Sequence, residues 1–259
     1  MIARELTRMS CAIQLLTRLP APAPKAWSDD ALARSARYFP LAGLTVGVIS
    51  AGVFAFARLA LPAATLLPAI LAVGVAVLLT GAFHEDGLAD SVDGLAGGHT
   101  VEQRLAIMKD SRIGTYGAVA LFLALSFRIG ALTELHSPLL AAGALCAAHG
   151  LARAAAVIAM VTLPYASDPA KSRLTSVWRG VRGYEVAIAI VIGAAPLALL
   201  PPRVAVSGVV FGAFAAFWPA LAAKNLIGGY TGDVLGAVEQ AFETAFLVAV
   251  AAAVGLALP

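Results

Sequence analysis

Long apolar runs separated by short polar segments dominate the chain. Seven of them approach the roughly 20 mostly apolar residues that a membrane-crossing helix needs: 39–61, 64–84, 116–134, 138–163, 185–201, 204–222 and 241–258. They lack the polar faces that the helices of a soluble bundle would show. The fifth run is short and the sixth follows Pro201-Pro202, so those two also read as a re-entrant pair, and the expected count is about seven with a range of six to eight. Gly and Ala recur inside the runs, as in GLTVG at 43–47, which suits close helix packing where lipid offers no hydrophobic drive. The pattern predicts an all-α, polytopic transmembrane helical bundle, with residues 1–259 forming a single integral membrane domain.

Composition agrees with this pattern. Sixty per cent of the residues are hydrophobic and 13% are charged, against roughly 45–50% and 25% in a soluble domain, so the chain has too little polar surface to solvate a globule. The net charge of +3 points to no nucleic-acid partner once its placement is read. With an N-terminus inside and seven spans, the inside segments hold 14 of the 18 basic residues, three more (Arg58, Arg128, Arg153) lie within spans, and Arg203 alone falls outside. That asymmetry predicts a cytoplasmic N-terminus. Of the 15 acidic residues, Glu134 alone clearly faces out. A rule written for Lys and Arg does not require this, and a cytoplasmic active face is the simplest cause. Cys11 and Cys146 are far apart in apolar surroundings, which argues against a structural disulfide.

The most informative polar stretch is FHEDGLADSVDGLAGG at 83–98. It follows the second run with no proline between them and reads as a continuation of that helix out of the membrane. At about 100° per residue, Asp86, Asp90 and Asp93 fall within an arc of about 60° on one face. The tetrapeptide DGLA occurs at 86–89 and again at 93–96, repeating that face after about two turns. Three like charges on one face repel one another, and acidic residues at a helix C-terminus oppose the macrodipole. Oxygen ligands of this kind suit a hard divalent cation, Mg²⁺ where a substrate brings phosphates. The alternative is a solvated acidic cap. His84 and Glu85 point away from the Asp86 direction and read as flanking groups.

Further constellations surround this stretch. RLAIMKDSRIGTYG at 104–117 combines Lys109, Asp110, Ser111 and Arg112 with two glycines ahead of the third run. Basic side chains and free N–H groups at a helix start bind phosphate, and Asp110 offers one more metal ligand from a second helix. In GGYTGDVLGAVEQ at 228–240, Thr231 and Asp233 read either as a helix cap or as part of a substrate or metal site. Glu239 and Glu243, four residues apart, share a helical face. Arg153 lies well inside the fourth run, where charge is expensive and marks function by default; it pairs either with a carboxylate or with a substrate phosphate. His149 is one turn away on its face. The lysine and arginines of YASDPAKSRLTSVWRG at 165–180 read as an anionic entry site or as anchors.

At these residues the chain closely resembles the cobalamin (5′-phosphate) synthase family, the adenosylcobinamide-GDP ribazoletransferases. The matching segments are LLTRLPAP at 15–22, YFPLAGLTVG at 38–47, the HxDGLADxxDG run at 84–94, RLAIMKDSRIGTYG at 104–117 and GGYTGDVLGAVEQ at 228–240. Glu85 departs from the family, where that position is often apolar, and so carries no essential chemistry on this reading. The resemblance implies a phosphotransferase of the last assembly step of vitamin B12 biosynthesis in the bacterial cytoplasmic (inner) membrane. Adenosylcobinamide-GDP is the donor, α-ribazole or its 5′-phosphate the acceptor, GMP the leaving group, adenosylcobalamin or its 5′-phosphate the product and Mg²⁺ the cofactor. On that basis Asp86, Asp90 and Asp93 are expected to ligate Mg²⁺ with Asp110 completing the site. Lys109, Arg112, Arg153 and Thr231 are expected to bind substrate, and Asp233 or a metal-bound carboxylate to take the hydroxyl proton. A homo-oligomer is compatible with the sequence. The rival readings are a metal-dependent phosphotransferase of the CDP-alcohol type and a transporter, whose polar groups should lie at mid-span.

Overall fold

The computed structural model describes residues 2–22, 29–166 and 181–256. Lys25 and the loop residues Lys171, Arg173 and Arg179 lie outside the described residues. Eleven α-helices occur among the described residues: α1 (Ile2–Leu16), α2 (Asp29–Ser35), α3 (Phe39–Ala60), α4 (Leu66–Thr80), α5 (Phe83–Gly97), α6 (Val101–Ile107), α7 (Thr115–Thr133), α8 (Pro138–Thr162), α9 (Gly183–Ala194), α10 (Pro202–Ile227) and α11 (Gly232–Gly255). Every apolar run of the sequence overlaps one of them.

The Asp30–Ala60 stretch and α7, α8, α10 and α11 are long and apolar enough to cross a membrane. A sixth crossing exists if α4 and α5 are counted as one broken span, and Gly183–Leu199 is a shorter apolar helix. The five to six candidate crossings fall below the expected seven and meet the expected range of six to eight at its lower end. The run at 185–201 is cut short where α9 passes into a 3-10 turn at Ala195–Leu199 carrying Pro196. The sixth run, by contrast, starts cleanly at Pro202 and forms a full 26-residue helix.

The run at 64–84 does not continue into the acidic stretch, as the lack of a proline had implied. The chain turns by 87° between α4 and α5. Gly81 and Ala82 both adopt left-handed backbone (φ +67° and +61°). Their N–H groups close the end of α4 on Leu78 O (3.2 Å) and Val77 O (2.9 Å), the two bonds of a Schellman stop. Arg18 N–H takes a third end carbonyl, Leu79 O, at 2.7 Å. The acidic residues consequently begin a new helix. Glu85 and Asp86 occupy the first turn of α5, where the macrodipole favours negative charge instead of opposing it.

Small residues let the spans touch backbone to backbone. A side chain at Gly43 would overlap His149 O, and one at Gly47 would come within 2.8 Å of Cys146 Cα, so the GLTVG segment is the contact of α3 with α8. Helix α8 is the most enclosed span, with 83% of its apolar window buried. Gly208 and Gly212 of α10 pack on the rings of Phe246 and Phe242 of α11. The opposite face of α10 exposes Phe211, Phe214, Phe217 and Trp218, the apolar surface a lipid-facing helix presents.

At one end of the bundle, short connections are tied together. Tyr230 N–H bonds Pro164 O and Ala166 N–H bonds Tyr230 O, both at 2.9 Å, joining the end of α8 to the turn before α11. Arg34 and Arg37 hold the buried Glu185 at 3.1 and 2.6 Å, joining α2 and the 3-10 turn Ala36–Tyr38 to α9. An apolar cluster that includes Leu16, Phe39, Met108, Met160, Ile227 and Val234 fills the space between and supports α5.

Candidate active site

Helix α5 lies in contact with α7 and α11, and glycines set both distances. Gly87 and Gly236 face each other where α5 crosses α11; a Cβ at Gly87 would come within 2.9 Å of Asp233 O and 3.3 Å of Gly236 Cα. This crossing puts Asp233, in the first turn of α11, beside the aspartates of α5. On the other side, side chains at Gly114 or Gly117 would overlap the Asp93 carboxylate.

The three aspartates of the acidic face thus divide. Asp93 is buried, and its two oxygens accept the N–H groups of Gly114 (2.7 Å) and Gly117 (2.9 Å). It caps α7 from another helix and takes two of the free N–H groups expected there for phosphate. Asp86 and Asp90 line a cavity of about 440 Å³ whose far wall is the 108–113 turn with Lys109 and Asp110. The charges of Asp86, Asp93 and Asp233 all act on Asp90, and Lys109 acts on Asp233. Among the described residues no three His, Cys, Asp or Glu side chains converge closely enough to hold a metal ion by themselves.

Asp110 sits in the turn after α6 rather than on a helix. Its carboxylate grips Arg112 through Nε (3.0 Å) and Nη2 (2.6 Å). Hydrogen bonds from Arg112 hold the Asp110 carboxyl down at about 2. Lys109 is the exposed cation left over in this turn. Thr231 is buried as the N-cap of α11, its hydroxyl accepting Val234 N–H at 3.3 Å.

Behind the α5–α11 crossing lies a second charged group, which the sequence disclosed only in part. Arg153 is placed here and not in the cavity. It pairs with Glu239 (3.3 Å) and Glu243 (3.1 Å). Glu243 also binds Arg128 (2.6 Å) and His149 (2.8 Å), while Arg128 reaches Glu85 (3.2 Å) and His84 meets Glu239 (2.9 Å). All seven side chains are buried. Two guanidiniums and two imidazoles face three carboxylates contributed by α5, α7, α8 and α11. Arg128 had no assigned role in the sequence, although an arginine at mid-span carries the same signal as Arg153. Glu85, set aside as inessential to chemistry, is its partner.

These residues fall within a stretch with clear relatives. A family model described as cobalamin-5-phosphate synthase matches residues 8–251. The chain belongs to the cobalamin-5-phosphate synthase family. A relative in Bradyrhizobium diazoefficiens named adenosylcobinamide-GDP ribazoletransferase is 42% identical over 254 residues, covering 97% of this chain and 95% of its own. Relatives of the same name in Shewanella frigidimarina and Shewanella sp. (strain W3-18-1) are 40% identical, each covering 93% of this chain and 92% of their own. No solved structure matches the chain. The synthase-family match spans both the aspartate cavity and the buried ion network.

Proposed function

We propose that this chain transfers the adenosylcobinamide-phosphate group of adenosylcobinamide-GDP to α-ribazole or its 5′-phosphate, releasing GMP, at the cytoplasmic face of the bacterial inner membrane. The observation that carries the reading is the cavity in which Asp86 and Asp90 face Lys109 beside Asp233, in a chain of this family. A new P–O bond forms from the ribose hydroxyl to the phosphorus borne by the cobinamide. The P–O bond to GMP breaks with its electron pair, and the hydroxyl proton must be taken up.

The residues divide this work. Asp233 or Asp90 takes the proton; both are half-buried where α5 crosses α11. Lys109 neutralises phosphate oxygen, since Arg112 is engaged by Asp110. Asp93 acts by fixing α5 against α7, and Thr231 by starting α11 in register, so that Asp233 meets α5. Mg²⁺ commonly uses one or two carboxylates and completes its shell with water and substrate phosphates, which the pair Asp86 and Asp90 fits. When bound there it supplies neutralisation of the diphosphate charge.

The transporter reading anticipated polar groups at mid-span, and the ion network is such a group. It is buried and internally paired, so it serves as a scaffold. Purified protein in proteoliposomes supplied with α-ribazole should release GMP from the corrinoid GDP donor only with Mg²⁺ present, and release no CMP from a CDP-alcohol. CMP release without GMP release would favour the CDP-alcohol reading, and uptake of the corrinoid without either would favour transport.

A further inference from the structure

Asp86 lines two cavities. One is the Lys109 cavity. The other, of about 460 Å³, lies at the outside of the α4–α5 corner, between Thr80–Phe83 and the end of α1 with Gln14, Thr17 and Arg18. This second cavity has no part in the functional reading so far, and it is polar. Its one cation is Arg18.

The backbone of Arg18 is anchored, and its side chain lies over the corner. Its N–H bonds Leu79 O at 2.7 Å, fixing the end of α1 to the end of α4. Its guanidinium lies across Gly81, with Cζ 2.7 Å from where a Cβ would stand. Gly81 therefore serves twice, giving the left-handed turn and leaving room for this side chain. The polar side chains just before Arg18 are already used: Gln14 Nε2 donates to Ala21 O (2.7 Å), and Thr17 Oγ1 donates to Ile13 O (2.7 Å). Arg8, Arg34, Arg37, Arg112, Arg128 and Arg153 all have carboxylate partners. Arg18 makes no ion pair among the described residues, and its side chain is exposed.

The reaction supplies a use for it. In a phosphoryl displacement the attacking and leaving oxygens stand roughly in line across the phosphorus. Proton acceptors Asp90 and Asp233 lie on the Lys109 side of Asp86, so the leaving group must depart toward the other side. We infer that Arg18 and the α4–α5 corner form the subsite for the phosphate of the departing nucleoside monophosphate, while Lys109 serves the phosphate that stays with the acceptor. A guanidinium suits that task because its planar fork binds two phosphate oxygens at once. This assignment rests on the transferase reading given above.

The test measures GMP as product inhibitor and acceptor KM in proteoliposomes with saturating Mg²⁺, comparing wild type with Arg18→Gln, Arg18→Lys and Lys109→Gln. Loss of charge-assisted hydrogen bonds should weaken GMP inhibition about tenfold to a hundredfold in Arg18→Gln. The acceptor KM should hold, and Arg18→Lys should recover part of the loss. Lys109→Gln should leave GMP inhibition within about twofold while lowering turnover. Because Arg18 is exposed and bears no ion pair, the variants should elute and melt like wild type. Equal GMP inhibition in wild type and Arg18→Gln, or a loss seen only in Lys109→Gln, would overturn the subsite. Absence of Mg²⁺-dependent GMP release by the wild type would instead overturn the transferase reading itself.

Discussion

Two acidic groups lie back to back across the α5–α11 crossing, and they are treated in opposite ways. Glu85, Glu239 and Glu243 point into the bundle, and each meets a guanidinium or an imidazole. Asp86, Asp90 and Asp233 gather on the other side and repel one another, with one exposed lysine across the cavity. The two groups alternate along the same helices: Glu85 is next to Asp86, and Asp233 is six residues before Glu239. Burial requires the glutamates to be neutralised by the protein, because an unpaired buried charge costs several kcal/mol. Asp86 is exposed and Asp90 and Asp233 are half-buried, and none of the three has an ion-pair partner among the described residues. Helix spacing alone does not separate a scaffold from a site; the partners do.

Breaking the paired side should have the largest effect on the fold. Glu243→Ala takes one of two carboxylate partners from each of Arg128 and Arg153 and leaves His149 with none among the described residues, and should cost about 3–5 kcal/mol, read as a large drop in unfolding midpoint in detergent. Glu243→Gln should fall between that variant and wild type. Next comes Asp93, which belongs to the acidic face by spacing and to the frame by contact. Asp93→Ala removes the cap of α7 and should cost about 0.5–2 kcal/mol; a change in activity with no change in melting would move Asp93 to the chemical side of the comparison. The smallest effect is expected at Arg112. With Asp110 held at about 2 by this arginine, the pair persists at every pH above about 4 and is lost only as pH falls through the folded value. The pH–rate profile above that point should be the same in wild type and Arg112→Ala, and a shifted profile would show that Asp110 takes part in the reaction.

Much of this was legible in the sequence. Apolar runs located the helices, GLTVG marked a real backbone contact between α3 and α8, and the acidic stretch lay where the cavity is. The corner at Gly81-Ala82 was hidden because one of its two left-handed residues is an alanine, which carries no turn signal. That corner changed the meaning of the stretch, from the tail of a span to a separate helix turned by 87°. Helical angles grouped Asp93 with Asp86 and Asp90 but could not show that Gly114 and Gly117, some 20 residues on, would claim its oxygens. Arg153 was visible as an anomaly, whereas its partners came from helices distant in sequence. Arg18 stood in a segment shared with the family and gave no sign of its position until α1 met the corner.

The central claim is that the open aspartates carry the chemistry while the paired glutamates hold the frame. It is tested most directly by Mg²⁺-dependent GMP release from Asp86→Asn, with its unfolding midpoint recorded on the same sample. Transfer should fall by at least about 10²–10³-fold while the protein inserts and melts as wild type does. Near-normal GMP release by that variant, or a collapse of its melting transition alongside the activity, would contradict the division drawn here.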